Sequence, residues 1–220
     1  MKRLLLVGLV LVLPAVAAAQ PVPACPDCVL GLWDDPALTS NYGTVTAGTM
    51  KDIYLGIKLG AGENGISGLE FSIYGMRNDT DGVIVTGTEW TTMPALTIGS
   101  TTSAPADSSA ASTGTGGLNV GWTGCLTPTA GTNLNLARIS FLTFTPLSNK
   151  IFSVLHKFPV SNTRWTGSPI FTRCNPPAYT AVIPARGCYV ANWDGTTVLS
   201  CAPKVPVAPT TWSTVKRLFD

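Results

Sequence analysis

The chain has 220 residues, with 14 basic and 12 acidic side chains, a formal charge of +2 and one histidine. Charged residues make up only 12% and form no basic cluster, which argues against nucleic acid and against anionic membrane surfaces as partners. One histidine leaves a Ser-His-Asp triad or a multi-histidine metal site with a single available member.

Residues 1–19 show three zones: Lys2 and Arg3, an apolar run of 13 residues from Leu4 to Val16, and the small residues Ala17, Ala18 and Ala19. A bilayer core needs roughly 20 apolar residues, so the run reads as a secretory signal cleaved after Ala19 and not as a membrane span. Without Lys2 and Arg3 the basic residues fall from 14 to 12 and balance the 12 acidic ones. No later segment has a comparable apolar run. The expected organisation is a signal over residues 1–19, one β-domain over 20–201, and a C-terminal extension over 202–220. The expected location is secreted or extracytoplasmic, in the periplasm or on the cell surface.

Cys25 and Cys28 come first, separated by Pro26 and Asp27. A redox C-x-x-C opens a helix in a thioredoxin-like unit, which does not follow here, and a zinc site wants a second close pair. A lipobox ending at Cys25 is weakened by Pro23 and by the odd number of cysteines it would leave. Asp34 and Asp35 carry at most a weak carboxylate signal, as do Glu63 and Glu89. From residue 51 to 59, Ile53, Leu55, Ile57 and Leu59 alternate with polar or small residues, the period of a half-buried strand. Leu69, Phe71 and Ile73 repeat the pattern after a turn-rich stretch, so the two runs are expected to be neighbouring strands.

Residues 78–82, Asn-Asp-Thr-Asp-Gly, resemble half of an EF-hand loop. Aligning Gly82 as the sixth position puts Arg77 and Thr88 at ligand positions one and twelve, so a plain turn is expected and no metal. Residues 83–85, 96–98 and 118–122 are shorter strand candidates, and 100–117 reads as a long Ser/Thr/Ala/Gly loop. Residues 134–145 are apolar on both faces toward their end, with Ile139 and Phe141 on one and Leu142 and Phe144 on the other, as in a covered central strand. A turn at 146–149 and a further run at 151–158 suggest a hairpin. His156 within that run is expected to be structural or at the surface.

The six cysteines of an exported chain read as disulfides with 15 possible connectivities. Asp194-Gly195 is a two-residue hairpin signal midway between Cys188 and Cys201, and counting outward sets those two opposite each other at a non-hydrogen-bonded site, within disulfide reach. Cys188 with Cys201 is therefore the expected pair, while Cys25, Cys28, Cys125 and Cys174 remain open. Past Cys201, prolines at 203, 206 and 209 form an extended spacer, and Trp212, Val215, Leu218 and Phe219 fall at helical spacing. Six tryptophans are mostly core fillers in such a fold. Trp165 and Trp193 are the two expected to be exposed, and with Trp212 and Leu218 they are the candidate binding residues.

The whole pattern predicts an all-β antiparallel sandwich of the Ig-like kind, with a short C-terminal helix. Residues 45–74, VTAGTMKDIYLGIKLGAGENGISGLEFSIY, resemble the opening of cohesin-like bacterial β-sandwich modules. The run LNLARISFLTF from Leu134 is similar to a later strand of the same modules. The tail TTWSTVKRLF is similar to the tails of exported bacterial proteins. The resemblance carries no catalytic residues. The expected function is thus a non-enzymatic binding or cell-surface structural module without cofactor, its partner a protein or glycan on the cell surface. The alternative is a carbohydrate-binding module.

Overall fold

The structure is a computed structural model that describes residues 24–77, 81–99, 117–129, 131–157, 168–174, 180–183 and 185–196. The expected signal, the proline spacer and the C-terminal helix lie outside the described residues, as does nearly all of the 100–117 loop. Among the described residues thirteen strands run in chain order: β1 (Val29–Trp33), β2 (Tyr42–Gly43), β3 (Lys51–Lys58), β4 (Ile66–Tyr74), β5 (Val83–Trp90), β6 (Leu96–Ile98), β7 (Leu118–Leu126), β8 (Asn133–Thr143), β9 (Lys150–Leu155), β10 (Ile170–Arg173), β11 (Thr180–Val182), β12 (Ala185–Arg186) and β13 (Cys188–Ala191).

They form two sheets. The first has the order β12-β1-β3-β8-β5, and the second runs β11-β10-β4-β9-β13-β2 with β7 also on β4 and β6 on β7. Pairing is antiparallel except for two short parallel contacts, β1 with β12 and β13 with β2. The core lies where the inward faces meet. Leu30, Leu32, Ile53, Leu55, Ile57, Ile139 and Phe141 of the first sheet pack on Leu69, Phe71, Ile73, Val120, Phe152, Val154 and Tyr189 of the second. Phe141 and Phe152 meet edge to face across it at 5.4 Å. Each such side chain contributes about 1.5–3 kcal/mol on burial.

Two sequence expectations are corrected here. The runs at 51–59 and 69–73 are β3 and β4, and they are not neighbours: β3 pairs with β1 and β8, β4 with β10, β7 and β9. Period-two alternation fixes which face is buried and not which strand lies alongside, and facing each other across the core satisfies both patterns. The 134–145 and 151–158 runs likewise form no hairpin. The chain turns through Asn149 (φ 48°) from β8 in the first sheet to β9 in the second. Of the hairpin expected around Asp194-Gly195, the described half is β13, which pairs with β9 and, at Val190 and Ala191, with β2; the returning half, 197–201, lies outside the described residues.

Two local networks set the β13 end of the sandwich. Asn192, itself at φ 52°, accepts from Val45 N and donates from Nδ2 to Val45 O and Leu147 O, all within 2.8–2.9 Å. Tyr189 is fully buried, stacks on Phe152 at 6.0 Å and donates its hydroxyl to Asp34 Oδ1 at 2.9 Å. The same oxygen meets Lys51 Nζ at 2.6 Å. Burial first, then the hydrogen bond to Asp34 and its charge, push the Tyr189 pKa far above the usual phenol value. In the next loop, burial acts to raise the Asp35 pKa, but hydrogen bonds from Ser40 N, Thr39 Oγ1 and Thr39 N outweigh it and the carboxyl titrates below its ordinary range.

Cys25 pairs with Cys28 and Cys125 with Cys174. The first pair is buried and Cys28 Sγ accepts from Gly60 N, so its role is that of a staple, and Cys25 is not free for a lipid. Cys188 is also disulfide-bonded, while Cys201 lies outside the described residues.

Candidate binding site

The outward face of the first sheet follows from the same alternation that fills the core. Asp52 and Tyr54 of β3, Arg138, Ser140 and Leu142 of β8, and Ile84 and Glu89 of β5 occupy the positions between inward residues. Register places Ile84 opposite Leu142, and Lys51 opposite Phe141, so Met50 continues the same row beside Leu142. The Thr86 hydroxyl donates to Ser140 O and reaches Met50 Sδ, both at 3.1 Å. Met50 is 57% exposed and Phe144, just past the end of β8, 69% exposed. Single exposed apolar residues are ordinary, but a row crossing three strands is the centre of an interface in form.

A charged border lies beside it. Arg138 bridges Glu89 through Nη2 and Asp52 through Nη1, and Asp52 accepts in turn from Ser140 Oγ at 2.5 Å. The hydrogen bond to Glu89, then the charges of Glu89 and Asp52, raise the Arg138 pKa further, so the guanidinium is a fixed cation between two anions. Exposed pairs of this kind contribute little to stability and more to partner orientation.

The second sheet differs. Its outward positions Glu70, Ser72, Ser153, Leu155, Ile170, Cys188 and Val190 are all buried. Glu70 accepts from Asn119 Nδ2 at 3.3 Å, and Ser72 Oγ donates to the backbone carbonyl of His156 at 2.7 Å. Among the described residues the second sheet is exposed chiefly along β6 and β7, at Leu96, Ile98 and Thr123.

Of the residues singled out from sequence, Trp193 is exposed at 41%, edge-on at 5.3 Å to Tyr42, which is 51% exposed. Beside them Asn149 and Asp194 exchange two hydrogen bonds, Asn149 Nδ2 to Asp194 Oδ2 and Asp194 N to Asn149 Oδ1. Trp165, Trp212, Leu218 and Cys201 lie outside the described residues. Trp33 and Trp122 are buried, and Trp90 packs against the core and meets Trp122 at 6.1 Å. Asp81 accepts from Arg77 N and from Lys150 Nζ, a turn and an ion pair, and no metal-holding group of His, Cys, Asp and Glu occurs among the described residues. Glu63 is paired with Arg173 and Glu89 with Arg138, so the scattered carboxylates form no pair of their own. Tyr42 was unmarked by any motif. Its contact arises from the parallel pairing of β2 with β13, which joins residues about 150 positions apart.

Comparison with solved structures finds cohesin modules. One, from a family 33 glycoside hydrolase of Clostridium perfringens, is 9% identical, with 76% of this chain and 98% of that one covered and a TM-score of 0.39. The sixth cohesin of scaffoldin B from Acetivibrio cellulolyticus, solved in complex with a dockerin, is 12% identical over 76% and 99%, TM-score 0.39. The seventh type I cohesin of a Pseudobacteroides cellulosolvens scaffoldin is 11% identical over 79% and 96%, TM-score 0.41. No protein-family description and no curated protein matches this chain. The reading of the site rests on the geometry of this chain.

Proposed function

We propose that this chain is an exported, non-enzymatic binding module that docks a protein partner on the outward face of its first sheet. The observation that carries the reading is the row formed by Met50, Ile84 and Leu142, with Phe144 beside it and the Asp52–Arg138–Glu89 network as its border. A matching partner presents apolar side chains to that row and polar groups to the border. A photo-crosslinking residue placed at position 144 or 84 in the producing cells is expected to trap one protein, and the same residue at exposed Thr123 on the other sheet is not. No adduct from 84 and 144, or equal adducts from 123, sinks the proposal.

Carbohydrate binding is the second reading, favoured by the exposed Tyr42–Trp193 pair. Glycan-array binding lost on Trp193→Ala supports it. Three further parts of the reading lie on residues outside the description. These are cleavage after Ala19, a Cys188–Cys201 bond, and attachment to a partner or the envelope by the segment carrying Trp212 and Leu218. Intact mass and disulfide mapping of the secreted protein test the first two, and fractionation after deletion of residues 212–220 tests the third.

A further inference from the structure

The methionines of this chain sit in different settings. Met1 belongs to the expected signal, Met76 is buried at 3% exposure, Met93 is 79% exposed on the connection from β5 to β6, and Met50 is 57% exposed in the apolar row of the first sheet. Met50 also has a hydroxyl set against its sulfur, Thr86 Oγ1 at 3.1 Å.

Strand order gives that contact its meaning. Met50 precedes β3, Thr86 belongs to β5, and β8 runs between them, so the thioether lies across β8 on the outward face. Thr86 falls where the pairing of β5 with β8 shifts between Val85 and Gly87, and an irregularity of this kind re-aims the side chain of the extra residue. The same hydroxyl lies 3.1 Å from Ser140 O, which holds Oγ1 beside the strand that Met50 crosses.

A thioether sulfur has two lone pairs, and oxidation at one or the other gives one or the other sulfoxide epimer. Thr86 occupies one side of Sδ and leaves the other to solvent. Hydrogen peroxide attacked from the open side loses its O–O bond: one oxygen bonds to sulfur, the second leaves as water, and the sulfur is oxidised by two electrons as the peroxide is reduced. The new oxygen points away from Thr86, beyond the reach of its hydroxyl. A soft apolar group in the middle of the row becomes a strong acceptor, which a partner's apolar side chain would bury without a donor.

We propose that Met50 is a peroxide-sensitive switch in the docking face, oxidised at Sδ to one sulfoxide epimer that releases the partner. The release rests on the docking reading above; the stereochemistry rests on Thr86.

The test uses the full secreted chain with its disulfides intact. After mild treatment with hydrogen peroxide the protein is digested, and the Met50 and Met93 peptides are exposed separately to the two sulfoxide reductases of opposite stereospecificity. One reductase is expected to clear most of the Met50 sulfoxide and about half of the Met93 sulfoxide, and Thr86→Val, which keeps the shape and removes the hydroxyl, to bring Met50 to an even mixture. Chain carrying the photo-crosslinker at position 144 is then returned to the producing cells before and after peroxide. Oxidation is expected to lower the adduct about tenfold, the effect of one buried acceptor left unpaired, and Met50→Leu to keep the adduct after the same treatment although Met93 is still oxidised. Equal epimers at Met50 in the unaltered chain, a ratio unmoved by Thr86→Val, an adduct that survives oxidation, or an adduct lost equally in Met50→Leu overturns the proposal. An adduct missing from the untreated sample is the failure of the docking reading, which takes the switch with it and is told apart from the other results by that sample alone.

Discussion

Replacing Tyr189 by Phe separates packing from charge at the β13 end of the sandwich. The ring stays stacked on Phe152, and only the hydroxyl bond to Asp34 is lost. A hydrogen bond to an ionised acceptor contributes about 1.5–3 kcal/mol, and Asp34, whose side chain is 29% exposed and still paired with Lys51, recovers part of this from water. A loss of about 1–2 kcal/mol at pH 7 is therefore expected. The pH dependence is the sharper test. The folded pKa of Tyr189 is raised, so its contribution is fully present below the unfolded phenol value of about 10. Above that pH the unfolded wild-type chain releases a proton that the folded one keeps, and the wild-type advantage shrinks by about 1.4 kcal/mol per pH unit. Urea unfolding of the oxidised proteins between pH 7 and pH 11 reads the difference directly. An advantage that stays constant through pH 11 would refute the reasoning, because it would mean that the phenol ionises alike in both states.

Two other substitutions probe the backbone. Asn192→Ala removes three hydrogen bonds and places alanine at φ 52°, so a loss of about 2–4 kcal/mol is expected in urea unfolding, with Asn192→Gly recovering only the part due to strain. Gly31→Ala would put its Cβ 2.6 Å from Gly187 Cα, backbone that cannot turn aside, next to the Gly187 N to Leu30 O bond. About 2–4 kcal/mol of destabilisation and faster amide exchange at Gly187 are expected; unchanged exchange would show that the two segments do not touch there.

How much of this could be read from sequence depends on range. The alternation of Ile53, Leu55 and Ile57 and of Leu69, Phe71 and Ile73 is local and marks β3, β4 and their buried faces correctly. Which strands adjoin is decided by the connections, and those at 59–65 and 146–149 cross between sheets without any residue pattern that distinguishes crossing from a hairpin. The short strands β2, β10, β11 and β12 have too few residues to show a period. At the candidate site, Leu142 and Phe144 were visible as one face of β8, but they read as covered, because apolar character alone does not tell a buried face from a binding one. The exposure of Trp193 was legible from its place beside Asp194-Gly195. Its partner Tyr42 was not, since that contact depends on the fold as a whole.

The burial of outward residues on the second sheet, from Glu70 to Cys188, gives the molecule a front and a back. A partner of the Met50–Ile84–Leu142 row must approach from the front. Tethering the protein to a cell or to a neighbouring module is then a question of orientation as well as strength, because an attachment that turns the front inward silences the module without altering a single contact on it.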